Sequence, residues 1–360
     1  MTIFSKLYRG ETNINFIGSR KRWYLASAVL VLICVLSFIF RGFNLSIDFK
    51  GGTTFQMPAS SSQITTANVE KAFSDAGVTI EGAPQFTTGS DKQVIVNVRS
   101  RDANALADAS LKIAKSLDLP SNDVSPTIIG SDWGHETTKN ALEGLIIFLI
   151  AVSIYVALRF QWRMAVGAML ALLHDLLIAA GVYSIVGFEL SPSTIVGLLT
   201  ILGFSLYDTV VVYDKVGENA KDILGGSRIT YSEAANKAVN QTLMRSINTS
   251  IIALLPVAGL LFVGVGVLGV GTIEDLALIL FVGLLSGAYS SLFLATPVVV
   301  DLTERDPRYK ALTRRVLQKR ASDAKRKSEV ELAGVSTTKR SGGPAPAPRV
   351  GARPERRRKR

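Results

Sequence analysis

Six long apolar runs constrain this chain more than any other feature of its sequence. A helix needs about 20 apolar residues to cross a bilayer core of about 30 Å. The chain of 360 residues is 48% hydrophobic and only 19% charged, which is too apolar for an ordinary soluble enzyme. We therefore predict an α-helical integral membrane protein with six transmembrane helices, at residues 23–40, 141–158, 164–186, 194–213, 247–267 and 276–300.

The Lys and Arg residues between these runs predict the direction in which each helix crosses. Short cationic segments stay on the cytoplasmic side of a membrane. The arm 1–22, the turn with Arg159 and Arg163, the loop 214–246 and the segment 301–360 carry such residues, whereas 187–193 and 268–275 contain none. The first run lacks a small-residue cleavage site, so we expect an uncleaved helix. We predict that both termini are cytoplasmic and that residues 41–140 form an extracytoplasmic domain.

The polar segment 41–140 has the pattern of a small α+β domain. We predict strands at 46–57, near 85–88, at 93–99 and near 124–129, with helices at 66–76 and 103–117. Val94, Val96 and Val98 alternate with more polar neighbours, as on a strand with one buried face. The order βαββαβ predicts a ferredoxin-like domain, placed before a membrane unit at 141–300.

The positive charge of the chain is concentrated at its C-terminus. The net charge is +11, and after Asp301 there are 19 Lys and Arg residues against 6 Asp and Glu. From Arg314 onward, basic blocks and a Gly/Pro/Ala segment at 342–348 leave little apolar surface, so we predict a basic disordered cytoplasmic tail. Anionic lipid is the favoured partner of this tail, with ribosomal RNA or an acidic protein as the open alternative.

The composition argues against a metalloenzyme. Cys34 is the one cysteine, and His135 and His174 are the two histidines, too few for a Cys/His zinc site. Residues 264–269 read G-x-G-x-x-G, but no strand precedes them, so we interpret them as a flexible outer turn and not a dinucleotide site. We expect no cofactor, no metal and no catalytic residues.

Ionisable residues inside the apolar runs are the strongest functional candidates. A charge near the bilayer centre costs at least a few kcal/mol, and such residues usually carry function. Asp208 lies well inside the fourth run, near Ser205 and Tyr207. It could be a structural carboxylate bound by hydroxyls or a titrating, ion-coupling group. We favour the second interpretation.

Two further polar groups occur in the runs. Arg245 lies at the cytoplasmic start of the fifth run and could simply extend to the lipid surface. The dense polar residues around it favour a functional role; they are Gln241, Thr242, Ser246, Asn248, Thr249 and Ser250. For His174 and Asp175 in the third run, a structural network is favoured over a water wire.

Five short motifs, in order along residues 48–293, together resemble the SecF proteins of the SecD/SecF family. The first three are D-F-K-G-G at 48–52, L-H-D at 173–175, and S-L-Y-D-T-V-V-V at 205–212 with E-N at 218–219. The fourth is Q-T at 241–242 with R-S at 245–246 and T-S at 249–250, and the fifth is S-G at 286–287 with S-S at 290–291 and F at 293. Ser46 and Lys215 stand where that family usually has Gly and Arg. These departures are mild, whereas the long basic tail has no counterpart in the pattern.

The resemblance implies half of a transporter of the resistance-nodulation-division (RND) superfamily in a bacterial cytoplasmic membrane. Its implied partners are SecD as a heterodimer, the SecYEG channel, the SecA ATPase, a membrane insertase and preprotein substrates. It would use the proton-motive force in late steps of preprotein translocation. A passive scaffold for SecD and the channel, or an independent exporter, is the alternative.

The resemblance also implies residue roles. Asp208 and Arg245 would couple proton passage. A supporting polar network would comprise His174, Asp175, Ser205, Thr209, Gln241, Thr242 and Thr249, and an interdomain motif would comprise Asp48, Gly51 and Gly52.

Overall fold

The computed structural model describes residues 14–59, 64–87, 92–265 and 274–338, and consists of a helical bundle with one small α/β domain. The helices are α1 Arg20–Phe40, α2 Ile47–Lys50, α3 Thr66–Asp75, α4 Ala103–Ser116, α5 Ser131–Arg159, α6 Trp162–Val186, α7 Pro192–Ala220, α8 Tyr231–Ala258, α9 Glu274–Ser290, α10 Thr296–Glu304 and α11 Pro307–Thr338. The strands are β1 Asn44–Leu45, β2 Gly52–Pro58, β3 Ile80–Phe86, β4 Gln93–Val98, β5 Ser125–Ile129 and β6 Glu189–Leu190. Six helical segments, built on α1 and α5 to α9, are long and apolar enough to cross a membrane, which confirms the six predicted runs.

The α/β domain contains one four-stranded antiparallel sheet in the order β3-β4-β2-β5. Helices α3 and α4 supply the apolar residues that cover it. Val94, Val96 and Val98 are fully buried, as predicted, and Phe55 packs edge-on against Phe73 at 5.2 Å between ring centroids. Both helices begin where predicted, because Thr65 and Asp102 cap their first turns.

The first predicted strand of this domain is wrong over residues 46–51. The chain forms the short helix α2 there, and β2 begins only at Gly52. Gly51 separates them with φ +74°, a conformation that glycine adopts far more readily than other residues. The next strand, predicted near 85–88, lies at Ile80–Phe86.

Among the contacts that join the domain to the helices are a helix packing and a short strand pair. Helix α5 begins at Ser131, ten residues before the predicted start of the second run, so the boundary at 140 falls inside a helix. Its Gly134 packs on α2, since an added Cβ would lie 2.3 Å from the Phe49 carbonyl oxygen. The second connection is a parallel pair, β1 with β6, between the segment after α1 and the loop between α6 and α7.

Small residues bring the central helices close together. An added Cβ at Gly283 of α9 would lie 2.0 Å from Ile201 of α7, and one at Gly287 would lie 3.0 Å from Ser205. Without a hydrophobic driving force in lipid, close packing of this kind holds transmembrane helices together. The small residues therefore fix how near the side chains of α7 and α9 approach each other.

The prediction of disorder from Arg314 onward is wrong as far as Thr338, because α11 runs through this segment. Lys, Arg, Ala and Glu are good helix formers. Leu312 and Val316, four residues apart, are fully buried, and Arg320 pairs with Glu233 at 2.6 Å. Residues 339–360 lie outside the described residues, as does most of the turn predicted at 264–269.

Candidate functional site

Two aspartates and five serines meet where α6, α7, α8 and the end of α9 come together. We call this group the carboxylate cluster; it comprises Asp175, Ser205, Asp208, Ser246, Ser286, Ser290 and Ser291. All seven side chains are buried among otherwise apolar helices. Every serine of the cluster donates its hydroxyl to one of the two carboxylates.

Asp175 of α6 is the more enclosed carboxylate, with 1% of its surface exposed. Its Oδ1 accepts a hydrogen bond from Ser286 Oγ at 2.7 Å. Its Oδ2 accepts two, from Ser205 Oγ at 2.6 Å and from Ser290 Oγ at 2.7 Å. Three hydroxyls thus take the place of water around this group, as a buried carboxylate requires.

His174 adds a nitrogen to the Asp175 side of the cluster. Its Nδ1 lies 3.3 Å from Asp175 Oδ1. Its Nε2 is buried and has no hydrogen-bond partner within the described part of the chain. The ring lies beside Tyr289, at 5.9 Å between centroids. His174 and Asp175 are therefore in contact, as their adjacency suggested.

Asp208 of α7 is 9% exposed and has two hydroxyl partners. Ser246 of α8 donates to Oδ1 at 2.6 Å, and Ser291 donates to Oδ2 at 2.5 Å. These contacts join three separate segments through one carboxylate. Both interpretations of Asp208 are compatible with them, because a serine hydroxyl can donate to an ionised carboxylate or accept from a protonated one.

The two carboxylates are connected through one stretch of backbone. Ser290 contacts Asp175 and Ser291 contacts Asp208, although the two serines are consecutive. The chain is π-helical from Ser291 to Ala295, two residues before Pro297, which lacks the N–H needed for a regular helical ladder. Bulges of this kind are frequent at functional sites.

A narrow crevice of about 20 Å³ opens beside Asp208. Ser205, Thr249 and Ser250 supply its polar lining beside Asp208, and apolar residues of α7, α8 and α9 supply the rest. One water molecule needs roughly 10–15 Å³ measured in this way, together with polar partners. The crevice therefore has room for about one water next to the Asp208 carboxylate.

Arg245 lies on the exposed side of α8 and does not reach Asp208. Its Nη2 donates to the Tyr207 hydroxyl at 3.1 Å. None of the ion pairs found in the described ranges includes Arg245. The structure therefore brings Arg245 to the residue next to Asp208 and not to the carboxylate itself.

The remaining residues of the predicted network are dispersed. Gln241 accepts a hydrogen bond from Asn219 at 2.9 Å, on the exposed side of α8. Thr242 donates back to the Ala238 carbonyl of its own helix at 3.0 Å. Thr209 is buried next to Asp208 in sequence. Thr249 alone of these four lines the Asp208 crevice.

The predicted interdomain motif lies at the base of the α/β domain. Asp48 belongs to α2 and accepts a hydrogen bond from Ser46 Oγ at 3.3 Å. Gly51 supplies the positive φ that ends α2, and Arg101 packs over it and donates to the Lys50 carbonyl. At Gly52, an added Cβ would lie 2.7 Å from the Val98 carbonyl oxygen. Both glycines are therefore required by the local backbone.

Four serines of the cluster were not predicted as site residues: Ser246, Ser286, Ser290 and Ser291. Two signals in the sequence could have identified them. Ser286 and Ser290 are four residues apart and so lie on one helix face. Three of the four fall in an apolar run, where a serine has no water to bind and needs an internal partner.

Comparison with known proteins identifies the family. The profile of "Protein export membrane protein SecD/SecF, C-terminal" matches residues 110–305, and that of the "SecD/SecF GG Motif" matches residues 36–63. The chain is 43% identical to the protein translocase subunit SecF of Streptomyces coelicolor over 92% of its length and 88% of that protein. It is also 43% identical to the subunit of the same name from Mycobacterium tuberculosis, over 91% of this chain and 76% of the relative.

Solved structures give the same result. The crystal structure of SecDF, a translocon-associated membrane protein from Thermus thermophilus, matches with a TM-score of 0.65 and 30% identity. The match covers 82% of this chain and 39% of the SecDF chain. A second structure, SecDF in a super-membrane-facing form, matches with a TM-score of 0.59 at 29% identity. The match covers 88% of this chain and 40% of that SecDF chain. This chain is a multi-pass membrane protein that belongs to the SecD/SecF family of protein-export membrane proteins.

Proposed function

We propose that this protein is the SecF-type subunit of a SecD–SecF complex that helps to move preproteins across the bacterial cytoplasmic membrane. The names of the relatives support a role in protein translocation. The chain spans about two fifths of the solved SecDF chains, which supports a second membrane protein, SecD, as its partner. In this proposal it acts beside the SecYEG channel, after SecA and together with an insertase. It assists translocation and carries out no bond-making reaction of its own.

We infer that Asp208 couples this work to the proton-motive force. The observation that carries the proposal is a buried carboxylate whose partners among the described residues are all hydroxyls, bordered by a crevice the size of one water. Ser246 and Ser291 can bond either form of the group, so a proton can be added or removed without loss of both bonds. One elementary charge crossing about 100 mV releases about 2.3 kcal/mol, enough to bias a two-state motion.

Arg245 supplies the second state in this mechanism. Its guanidinium bonds the Tyr207 hydroxyl, one residue from Asp208. Movement of the guanidinium to the carboxylate would favour ionised Asp208, and its return to Tyr207 would favour the neutral acid. The alternation of these two contacts is the proposed switch. Of the remaining network residues, Ser205 and Thr249 line the crevice beside Asp208 and would position it.

We also propose the topology and class of the soluble domain. Both termini lie in the cytoplasm, and residues 41–140 form an extracytoplasmic ferredoxin-like domain. The βαββαβ order and the sheet order β3-β4-β2-β5 support that class. A cysteine at exposed Lys112, with Cys34 replaced by Ser, should react with an impermeant maleimide added outside spheroplasts. Labelling only after lysis would show that residues 41–140 lie on the cytoplasmic side.

For the segment 301–360 we propose contact with anionic lipid. The exposed face of α11 carries a strong excess of Lys and Arg, and each basic residue close to an anionic membrane contributes about 1 kcal/mol. A peptide of residues 321–360 should bind anionic vesicles and dissociate as salt is raised. Binding to neutral vesicles at high salt would rule out the lipid proposal.

The coupling proposal is tested by export from membrane vesicles. Asp208→Asn keeps the shape and bonding capacity of the side chain but cannot release a proton. We expect loss of the stimulation of export by the proton-motive force, with normal protein level and normal binding to SecD. Asp214→Asn, on the same helix but 52% exposed, is the matched control and should behave as wild type. Full stimulation in Asp208→Asn would favour the passive scaffold instead.

A further inference from the structure

The loop between α6 and α7 carries a carboxylate that the coupling proposal does not use. Glu189 lies in β6, which pairs in parallel with β1, so that Asn44 is opposite Glu189. The next pair is Leu45 with Leu190, and beside it the Ser46 N–H donates to the Leu190 carbonyl at 2.9 Å. This short ribbon joins the segment after α1 to the loop between the end of α6 and the start of α7. Glu189 therefore lies where the α/β domain meets the membrane helices.

The α/β domain rests directly on this carboxylate. Gly82 of the edge strand β3 has φ +78°, and an added Cβ there would lie 2.2 Å from Glu189 Oε1. The pairing of β3 with β4 is irregular between Glu81 and Gln85, next to this contact. The backbone of β3 thus covers Glu189 and leaves no space for a side chain at position 82.

Two carboxylate oxygens at this contact have no donor. Within the described residues, Glu189 Oε1 and Glu81 Oε2 are both buried and lack a hydrogen-bond partner. The Glu81 side chain is only 10% exposed, and its other oxygen is bound by Arg99 at 2.9 Å and approached by Lys50 at 3.7 Å. An unpaired buried charge is costly. One proton would convert a carboxylate here into a donor.

The groups around Glu189 are mostly acidic. Asp48 and Lys50 face it from α2, Glu81 from β3 and Asp275 from the start of α9. Lys50 is the one cation among these four, and Arg99, directly after β4, is already engaged by Glu81. Burial first, and then Asp275 and Glu81, raise the pKa of Glu189 to about 7, and Lys50 opposes them.

We propose that Glu189 is a proton-binding group that holds the α/β domain on the membrane helices. The contact closes when Glu189 is protonated and opens when it is ionised. The proposal rests on the covered carboxylate, the two unpaired oxygens and the ribbon beneath them. It is independent of proton passage at Asp208, so either proposal can fail without the other.

The sign of the pH dependence follows from the two states. In the open state the carboxyl is in water, with an ordinary pKa of about 4.3. The closed state binds the proton more tightly, so closure is fully favoured below that ordinary value and is lost as pH rises through about 7. Within this window, the ratio of closed to open molecules should fall about tenfold for each pH unit.

A distance measurement on the full chain in lipid nanodiscs tests this proposal. Spin labels go on cysteines at exposed Lys112 of α4 and exposed Ser193 of α7, with Cys34 replaced by Ser. We expect one narrow distance at about pH 5 and a second, longer distance at about pH 8. Glu189→Gln mimics the protonated form and should remain narrow at both. Identical distributions for the wild type at both values, or an unchanged pH response in Glu189→Gln, would overturn the proposal.

Substitutions at two glycines supply a test that does not depend on whether Glu189→Gln folds normally. Gly82→Ala would place a Cβ against Glu189 and should produce the longer distance even at low pH. Gly77 is the matched control: its φ of +79° is equally unusual, but an added Cβ meets nothing within 4 Å. Gly77→Ala should keep the wild-type pH response. A closed contact in Gly82→Ala at both pH values would contradict the proposed contact.

Discussion

Asp175 and Asp208 are two buried aspartates with the same kind of partner and different access to water. Asp175 is 1% exposed and accepts three serine hydroxyls. Asp208 is 9% exposed, accepts two and borders the crevice. The comparison suggests that a fully satisfied and enclosed carboxylate supports the helix packing, whereas a less enclosed one can exchange a proton. This difference leads to predictions about stability and about proton transfer.

The largest expected effect on stability comes from removing Asp175. Asp175→Ala removes the carboxylate from three buried hydroxyls, of which Ser290 keeps the Gly287 carbonyl at 3.3 Å, and each hydroxyl left without an acceptor costs about 1–3 kcal/mol. We expect a strongly lowered unfolding temperature in detergent, with Asp175→Asn less affected. Asp214→Ala, which removes an exposed carboxylate of α7, is the control and should change little. A wild-type unfolding temperature for Asp175→Ala would show that the three hydroxyls do not stabilise the bundle.

A second test asks whether the close approach of α7 and α9 maintains the cluster. Gly283→Ala would place a methyl group against Ile201, and overpacking of this kind costs about 1–3 kcal/mol. We expect lower thermal stability. Gly203→Ala, on α7, meets nothing within 4 Å and should be neutral or slightly stabilising. Equal stability of the two variants would mean that the helix spacing tolerates a larger residue.

Consecutive serines sharpen the comparison further. Ser291→Ala removes one of the two hydroxyls on Asp208, and we expect a reduced stimulation of export by the proton-motive force. Ser290→Ala removes one of the three on Asp175, which should cost about 1 kcal/mol of stability and leave export nearly unchanged. Export assays and thermal unfolding on both variants distinguish the roles. If Ser290→Ala reduced the stimulation of export and Ser291→Ala lowered only stability, Asp175 would be the proton-exchanging group and Asp208 the structural one.

The smallest expected effect concerns α11. Arg320 and Glu233 form an ion pair whose side chains are 48% and 43% exposed. Exposed pairs of this kind contribute about 0–1 kcal/mol. Arg320→Ala should therefore leave the unfolding temperature within a degree or two of wild type. A large loss of stability would show that α11 is an essential part of the membrane bundle.

The sequence predicted the long elements well and their side-chain contacts poorly. The apolar runs and the helices capped by Thr65 and Asp102 are local signals, so both were found. The tail helix was missed because its disorder was inferred from composition, whereas its stability depends on burial of Leu312 and Val316 against distant residues. The short helix before Gly51 was missed because strand-like residues surround it.

The site was predicted only in part for the same reason. Asp208 was found because a charge in an apolar run is rare. Its partners Ser246 and Ser291 come from two other segments of the chain, and no local pattern indicates which serine points inward. Arg245 was expected to act with Asp208, but the helix face on which it lies directs it to Tyr207. Which serines face Asp208, and which group Arg245 contacts, both depend on how each helix is rotated about its own axis. The sequence pattern does not determine that rotation.

The central claim is that Asp208 exchanges a proton and Asp175 does not. The most direct test is proton flux into proteoliposomes that contain this protein with its SecD partner, under an imposed membrane potential. We predict measurable flux for the wild type, Asp175→Asn and the control Asp214→Asn, and background flux for Asp208→Asn. Wild-type flux in Asp208→Asn, in proteoliposomes with normal protein content, would contradict the account.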